Sequence, residues 1–289
     1  MLPDVTRCCP MMTDKTAVPD GTKQDHPQSK SPFQGFYNNP LPHDYFGFLT
    51  PVGYRAPDET MAVLRPWLAE QRRQIKDRPI RIVDFFSGYG ANGLLLRTGL
   101  SMAEVSALFA EGVLKSTDYK DHQAFLADPL ISPDQVELTG LDIATNALAY
   151  AHDTGLYQQV FDDNLIENRP SPGLAKAVFD ADIIIESGGH HEISAPIIDG
   201  LLGATNPDKR PPLMMSIARD FDVAPISAVL EQHGYRHRVL KPDFLFRRFA
   251  DNAEREERQA RNEALGLPRG GIFGDNVRYA NLYWAEYAG

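Results

Sequence analysis

The chain has 289 residues, 43% of them hydrophobic and 24% charged, which is enough apolar material for one sizeable core. Its net charge of −10 argues against a phosphate backbone as partner, and no apolar run approaches the roughly 18 residues that a membrane span needs. The two cysteines, Cys8 and Cys9, are adjacent in a polar stretch, so neither a disulfide framework nor a metal cage is expected.

Residues 1–31 are rich in Pro, Asp, Lys, Thr and Gln and have little to bury, which predicts a disordered leader without the apolar region of a signal peptide. A cytoplasmic protein is the expectation. Residues 32–78 read as an N-terminal lid and helical segment. Its first half carries Phe33, Phe36, Tyr37, Tyr45, Phe46, Phe48 and Tyr54 between prolines and glycines. Such a stretch packs across a core as a strap or closes over a ligand as a lid. Its second half, from Pro57 to Gln74, spaces Met61, Leu64, Trp67 and Leu68 as a helix does.

The main domain is expected over residues 79–289. Ile80–Phe86 is a β-branched and aromatic run and predicts a buried strand. A turn at Gly88–Tyr89–Gly90 follows, then a helix from Asn92 to Thr98. Ser101 with Glu104 forms a capping box for a helix reaching Leu114. Residues 115–135 are mixed and polar. Further strands are predicted at Val136–Leu141, Gln159–Phe161, Ala181–Glu186, Leu213–Ile217, Tyr235–Leu240 and Ala280–Glu286. Helices are predicted at Ala144–Asp153, Val223–His233 and Ala250–Leu265. Strands alternating with helices imply an α/β fold with a mostly parallel sheet covered on both faces.

Three places at strand ends carry the chemistry. The run from Val83 to Gly93 follows a strand and opens a helix. Its glycines, Gly88 and Gly90, let backbone approach a ligand, and the helix N-terminus offers free N–H groups to an anionic group. No Gly-Lys-Ser/Thr follows, so it is not a P-loop. Asp142 ends the next strand, with Ile143 after it; an acid there accepts hydrogen bonds from ribose hydroxyls, or simply caps a helix. It lies 58 residues after Asp84 instead of the usual roughly 20, so the intervening helix is an insertion. Asp162–Asp163–Asn164 follow the third strand, where a side chain bonds an adenine amino group or forms a solvated turn.

On Asp84, Gly88, Gly90, Asp142 and Asp162–Asp163 the chain resembles the class I S-adenosylmethionine-dependent methyltransferases, over roughly residues 80–240 and the final strand. The resemblance implies a Rossmann-like, seven-stranded, mostly parallel sheet with helices on both faces, preceded here by the aromatic lid. It implies S-adenosylmethionine as cofactor, held by Asp84, Phe86, Gly88, Gly90, Asp142, Ile143, Asp162, Asp163, Asn164, Glu186 and Ser187. Phe86 stands where that family usually has its first glycine. Residues after the fourth strand face the reacting sulfonium in the family, which makes His190, His191 and Glu192 candidates to take a proton from the substrate. Tyr37, Tyr45 and Tyr54 would line a cation site through their ring faces. The expected partner is a small molecule, such as one of secondary metabolism, with a homodimer possible. Two alternatives share the binding site. One is cyclisation of S-adenosylmethionine to azetidine-2-carboxylate, for which the aromatic strap and inserted helix resemble a small branch of the fold. The other is binding without catalysis.

Overall fold

The first strand is made by its own alternation. In β1 (Ile80–Phe85), Ile80 and Ile82 enter one apolar cluster while Val83 and Phe85 enter another on the opposite face. The computed structural model describes residues 35–189, 194–266 and 276–289, all within one unit spanning Pro32–Gly289. The predicted leader 1–31, Phe33, and the candidates His190, His191 and Glu192 lie outside the described residues.

In chain order the elements are α1 (His43–Val52), α2 (Ala56–Gln74), β1, α3 (Ala91–Thr98), α4 (Met102–Ala110), α5 (Tyr119–Leu126), β2 (Val136–Leu141), α6 (Thr145–Asp153) and β3 (Gln159–Phe161). There follow α7 (Pro172–Asp180), β4 (Ile183–Ser187), α8 (Ser194–Gly203), β5 (Leu213–Ala218), α9 (Ala224–Gln232), β6 (Tyr235–Arg248), α10 (Asn252–Ala264) and β7 (Val277–Tyr287). The strands form one sheet in the order β3-β2-β1-β4-β5-β7-β6. The pairs from β3 to β5 are parallel, while β7 lies antiparallel between β5 and β6. This is the Rossmann-like sheet that the sequence resemblance implies. Helices α2, α3 and α6 supply buried residues to one face, and α7, α8 and α9 to the other.

The predicted capping box is present: Ser101 accepts from the Glu104 amide, and Glu104 accepts in return from the Ser101 amide. Beyond it the predicted helix stops at Ala110 and a short 3₁₀ turn covers Val113–Lys115. The insertion between α3 and β2 therefore holds α4 and α5. It packs against α1, with the Phe46 and Phe109 rings stacked 4.3 Å apart.

Four helices were not expected. α1 forms inside the aromatic segment, where Phe46, Leu49 and Val52 are its buried residues. α5 is capped by Asp118, and α7 by Ser171 with Pro172 next, both ordinary start signals. α8 buries Ile197, Ile198, Leu201 and Leu202, a helical spacing hidden in a short apolar run. β6 runs eight residues past its predicted end at Leu240. Pro242 and three register shifts against β7 break the alternation that would have revealed it. Proline and bulges are tolerated there because β6 is the sheet's edge. No single helix among the described residues is long and apolar enough to cross a membrane.

Candidate functional site

The carboxyl ends of β1, β2 and β4 meet under the aromatic segment, and buried polar groups concentrate there. Asp84 is only 1% exposed. Asn92 Nδ2 reaches both its oxygens at 3.1 Å, and the Tyr157 hydroxyl donates at 2.5 Å. Burial outweighs those bonds and pushes the Asp84 carboxyl up to about 7.

A raised folded-state value means the native protein binds the extra proton. Asp84 therefore costs stability as pH climbs from the unfolded value near 3.8 to about 7, then levels off. Asp84→Asn should remove this dependence. In urea unfolding, its stability relative to wild type should improve between pH 5 and pH 8. Parallel curves over that range would show that Asp84 is ionised throughout.

Asp142, at the end of β2, is also buried, and burial raises its carboxyl. The Gly88 amide and the Tyr37 hydroxyl both donate to Oδ2 at 2.9 Å, and the Ala144 amide donates to Oδ1 at 2.9 Å. The turn between β1 and α3 takes three left-handed residues, Phe86 (φ 59°), Gly88 (φ 50°) and Gly90 (φ 79°). At Phe86 a bulky residue holds a conformation that costs it ~1–2 kcal/mol. A Cβ on Gly88 would collide with the Tyr37 hydroxyl, so this glycine permits close approach. A Cβ on Gly90 would instead meet the Tyr157 ring at 2.7 Å, so that glycine serves packing and the start of α3.

At the end of β4, Glu186 is fully buried and accepts from the Gly189 amide and, at 3.2 Å, from the Ser216 amide. Ser187 Oγ lies 2.8 Å from Thr60 Oγ1 and 2.9 Å from Asn92 Oδ1. Asn92 thus ties the Asp84 carboxylate to β4.

The segment before α1 crosses this edge. Tyr37, Tyr45 and Tyr89 form a ring cluster with centroids 5.2–6.0 Å apart. The Tyr89 hydroxyl accepts from the Asn38 amide at 3.0 Å and donates to the Asn39 carbonyl at 2.9 Å. The Asn146 amide at the start of α6 donates to Asn38 Oδ1 at 2.6 Å. The Tyr54 hydroxyl donates to the Ser187 carbonyl, and its ring meets Phe246 edge-on at 5.4 Å. Burial raises the hydroxyls of Tyr37, Tyr45 and Tyr54, so they stay neutral and serve as donors and ring faces, not bases.

The third predicted place divides in two. Asp163 accepts from the Ser171 amide and, at 3.1 Å, from its hydroxyl; Asn164 Oδ1 accepts from the Ile166 amide at 3.1 Å. Both side chains hold their own turn. Asp162 is exposed, and among the described residues its carboxylate has no hydrogen bond or ion pair. Ile143, beside Asp142, is a large apolar side chain left 69% exposed.

No protein-family model matches the chain, and no curated protein matches it. Among solved structures, it is similar to the magnesium protoporphyrin IX methyltransferase of Synechocystis PCC 6803, with bound SAM. That likeness has 12% identity and a TM-score of 0.41, covering 81% of this chain and 80% of that one. A TehB-like SAM-dependent methyltransferase of Corynebacterium glutamicum matches at 12% identity and a TM-score of 0.37, covering 78% of this chain and 98% of that one. Phosphoethanolamine N-methyltransferase 2 of Haemonchus contortus, in complex with S-adenosyl-L-methionine, does so at 12% and 0.37, covering 76% and 51%. What decides the architecture is the sheet itself, five parallel strands with an antiparallel β7 inserted before the edge. The fold is Rossmann-like, with the seven-stranded, mostly parallel sheet that the sequence resemblance implies.

Asp84, Gly88, Asp142, Glu186 and Ser187 stand together at the carboxyl ends of the adjacent strands β1, β2 and β4. Two partners of Asp84 were missed. Asn92 sits in the glycine-rich run itself, eight residues after the acid, and its amide was the available signal. Tyr157 precedes β3 in the chain and has no local signature.

Proposed function

We propose that the protein binds S-adenosylmethionine across the carboxyl ends of β1, β2 and β3 and transfers its methyl group to a small molecule. The observation that carries this reading is the pair of buried acids, Asp84 and Asp142, at the ends of adjacent strands beside a turn where Gly88 lets another group approach the backbone closely. Ligands of open α/β sheets sit outside the carboxyl ends of the strands.

The residues present fit that group. Asp142 offers an acceptor to ribose hydroxyls, one of which takes the donor place that Tyr37 fills on Oδ2. Ile143 offers an exposed apolar surface to the adenine face, and Asp162 a free carboxylate to its amino group. Asp84, held by Asn92 and Tyr157, supports a cationic amino end; a cation there would favour its ionised form. When bound, S-adenosylmethionine supplies an activated methyl group. The chain's part is to orient the two reactants and exclude water, and an in-line displacement gains much from that alone. His190, His191 and Glu192 remain the proposed proton acceptors in this reading. The neighbours named for protoporphyrin and phosphoethanolamine accord with a small acceptor.

A second reading draws on the tyrosines that close this edge. There the amino nitrogen of S-adenosylmethionine attacks its own γ-carbon, the carbon–sulfur bond breaks, and methylthioadenosine leaves as the amine gives up a proton. Incubating the protein with S-adenosylmethionine alone and identifying the nucleoside by mass spectrometry separates the two. No turnover until an acceptor is supplied, then S-adenosylhomocysteine, is the expected result. Methylthioadenosine without an acceptor would replace methyl transfer by cyclisation. Bound cofactor that no acceptor turns over would leave binding alone.

A further inference from the structure

Helix α10 (NAEREERQARNEA) has no large apolar residue, yet its side chains reach the strand ends of the sheet. A helix packed on a sheet ordinarily buries an apolar stripe. Here the inward positions are Glu254, Arg258, Arg261 and Asn262, with Glu254 and Asn262 buried. They meet Arg247 from the end of β6, Arg278 from the start of β7, and Asp220 just beyond β5. All three stand at the carboxyl edge of the sheet, the edge that holds Asp84 and Asp142.

Among the described residues the charges there do not cancel. Arg247 pairs with Glu254, and Arg278 Nη2 donates to Asp220 at 2.8 Å. Arg258, its side chain 12% exposed, reaches Asp220 only at 3.9 Å and rests over the Phe221 ring at 5.2 Å. Its Nε and Nη1 are buried without a hydrogen bond, as is Arg278 Nε. Asn262 is fully buried, and neither Oδ1 nor Nδ2 has a partner. Buried polar atoms are nearly always satisfied, and each exception calls for an explanation. Asp220 Oδ2 and Asn262 Oδ1 are the orphaned acceptors, and the donors outnumber them; among the described residues the arginines also outnumber the carboxylates they meet.

The cluster is one ring away from the transfer edge. The Arg278 guanidinium lies 5.3 Å from the centroid of Phe246, and Phe246 packs so tightly on Gly188, at the end of β4, that a Cβ there would collide with it.

We propose that the inward face of α10, with Arg278, is an anion-binding subsite that receives the carboxylate or phosphate of the acceptor molecule. Arg258 and Asn262 supply the donors, and planar guanidinium donors match either oxyanion. The subsite rests on the reading of this edge as a transfer site, but its anion affinity is measurable without S-adenosylmethionine.

The test is thermal unfolding of the full chain at constant ionic strength, titrated separately with inorganic phosphate and with succinate. A saturable rise in melting temperature with one of them is expected, and which one identifies the oxyanion. Arg258→Gln should lose that response. Asn262→Leu should fold at least as well as wild type, since it removes an orphaned amide, and should lose at least tenfold in anion affinity. Absence of a saturable response to both anions, or an undiminished response in Asn262→Leu, would overturn the proposal. S-adenosylmethionine binding, followed in parallel, keeps the two readings apart. Anion response without it would leave the subsite and remove the transfer reading, and the reverse result would do the opposite.

Discussion

Asp142→Ala should lower the affinity for S-adenosylmethionine by about a hundredfold. A ribose hydroxyl bonded to an ionised carboxylate is worth ~1.5–3 kcal/mol, and each 1.4 kcal/mol is a factor of about ten. The same substitution strips the Gly88 and Ala144 amides of their shared acceptor and releases Tyr37 from the edge. Two controls separate binding from folding. Asp142→Asn keeps an acceptor for one backbone donor and should fall between wild type and alanine. Circular dichroism should show the variant folded, because Asp142 lies at the end of β2 and outside both apolar clusters. Unchanged affinity in a folded Asp142→Ala protein would remove this residue from the site.

Phe46→Ala should destabilise the protein by ~3–5 kcal/mol, the usual cost of emptying a buried phenylalanine site. Phe46 is fully buried, stacked on Phe109 of α4, and Leu49 and Val52 continue the same face of α1. A loss of that size should lower the melting temperature by roughly 10 °C. The result bears on what the aromatic segment does. The structure divides it in two. The inward face of α1 belongs to the core, while Tyr37, Tyr45 and Tyr54 cover the site. If Phe46→Ala costs under about 1 kcal/mol yet spoils ligand binding, α1 moves with the tyrosines and the whole segment is a lid. Unfolding in step with the core would confine any opening to the residues before α1.

Much of this architecture was readable because burial and strand alternation leave local marks. β2 and β3 fall where their β-branched runs predict, and the acids at their ends follow directly. The insertion was legible from the distance between Asp84 and Asp142. What escaped is what depends on contacts between distant segments. Nothing near Tyr157 says that its hydroxyl reaches Asp84, 73 residues away, and nothing near Tyr37 says that it meets Asp142, 105 away. The glycine pair in the β1–α3 turn looked uniform in sequence. In three dimensions Gly88 faces Tyr37 over the site and Gly90 faces the core. The charged helix α10 was legible as a helix, but its composition, polar throughout, marks no inward face. Its inward residues are satisfied, or left orphaned, only by strands β6 and β7 and the end of β5.

The central claim is that the carboxyl ends of β1 to β3 hold S-adenosylmethionine, and isothermal titration of the full chain tests it most directly. Saturable binding of one equivalent per chain, weakened in Asp142→Ala, is the predicted result. No heat and no retained ligand at concentrations far above those that saturate such sites would contradict it, and the two buried acids would then be structural.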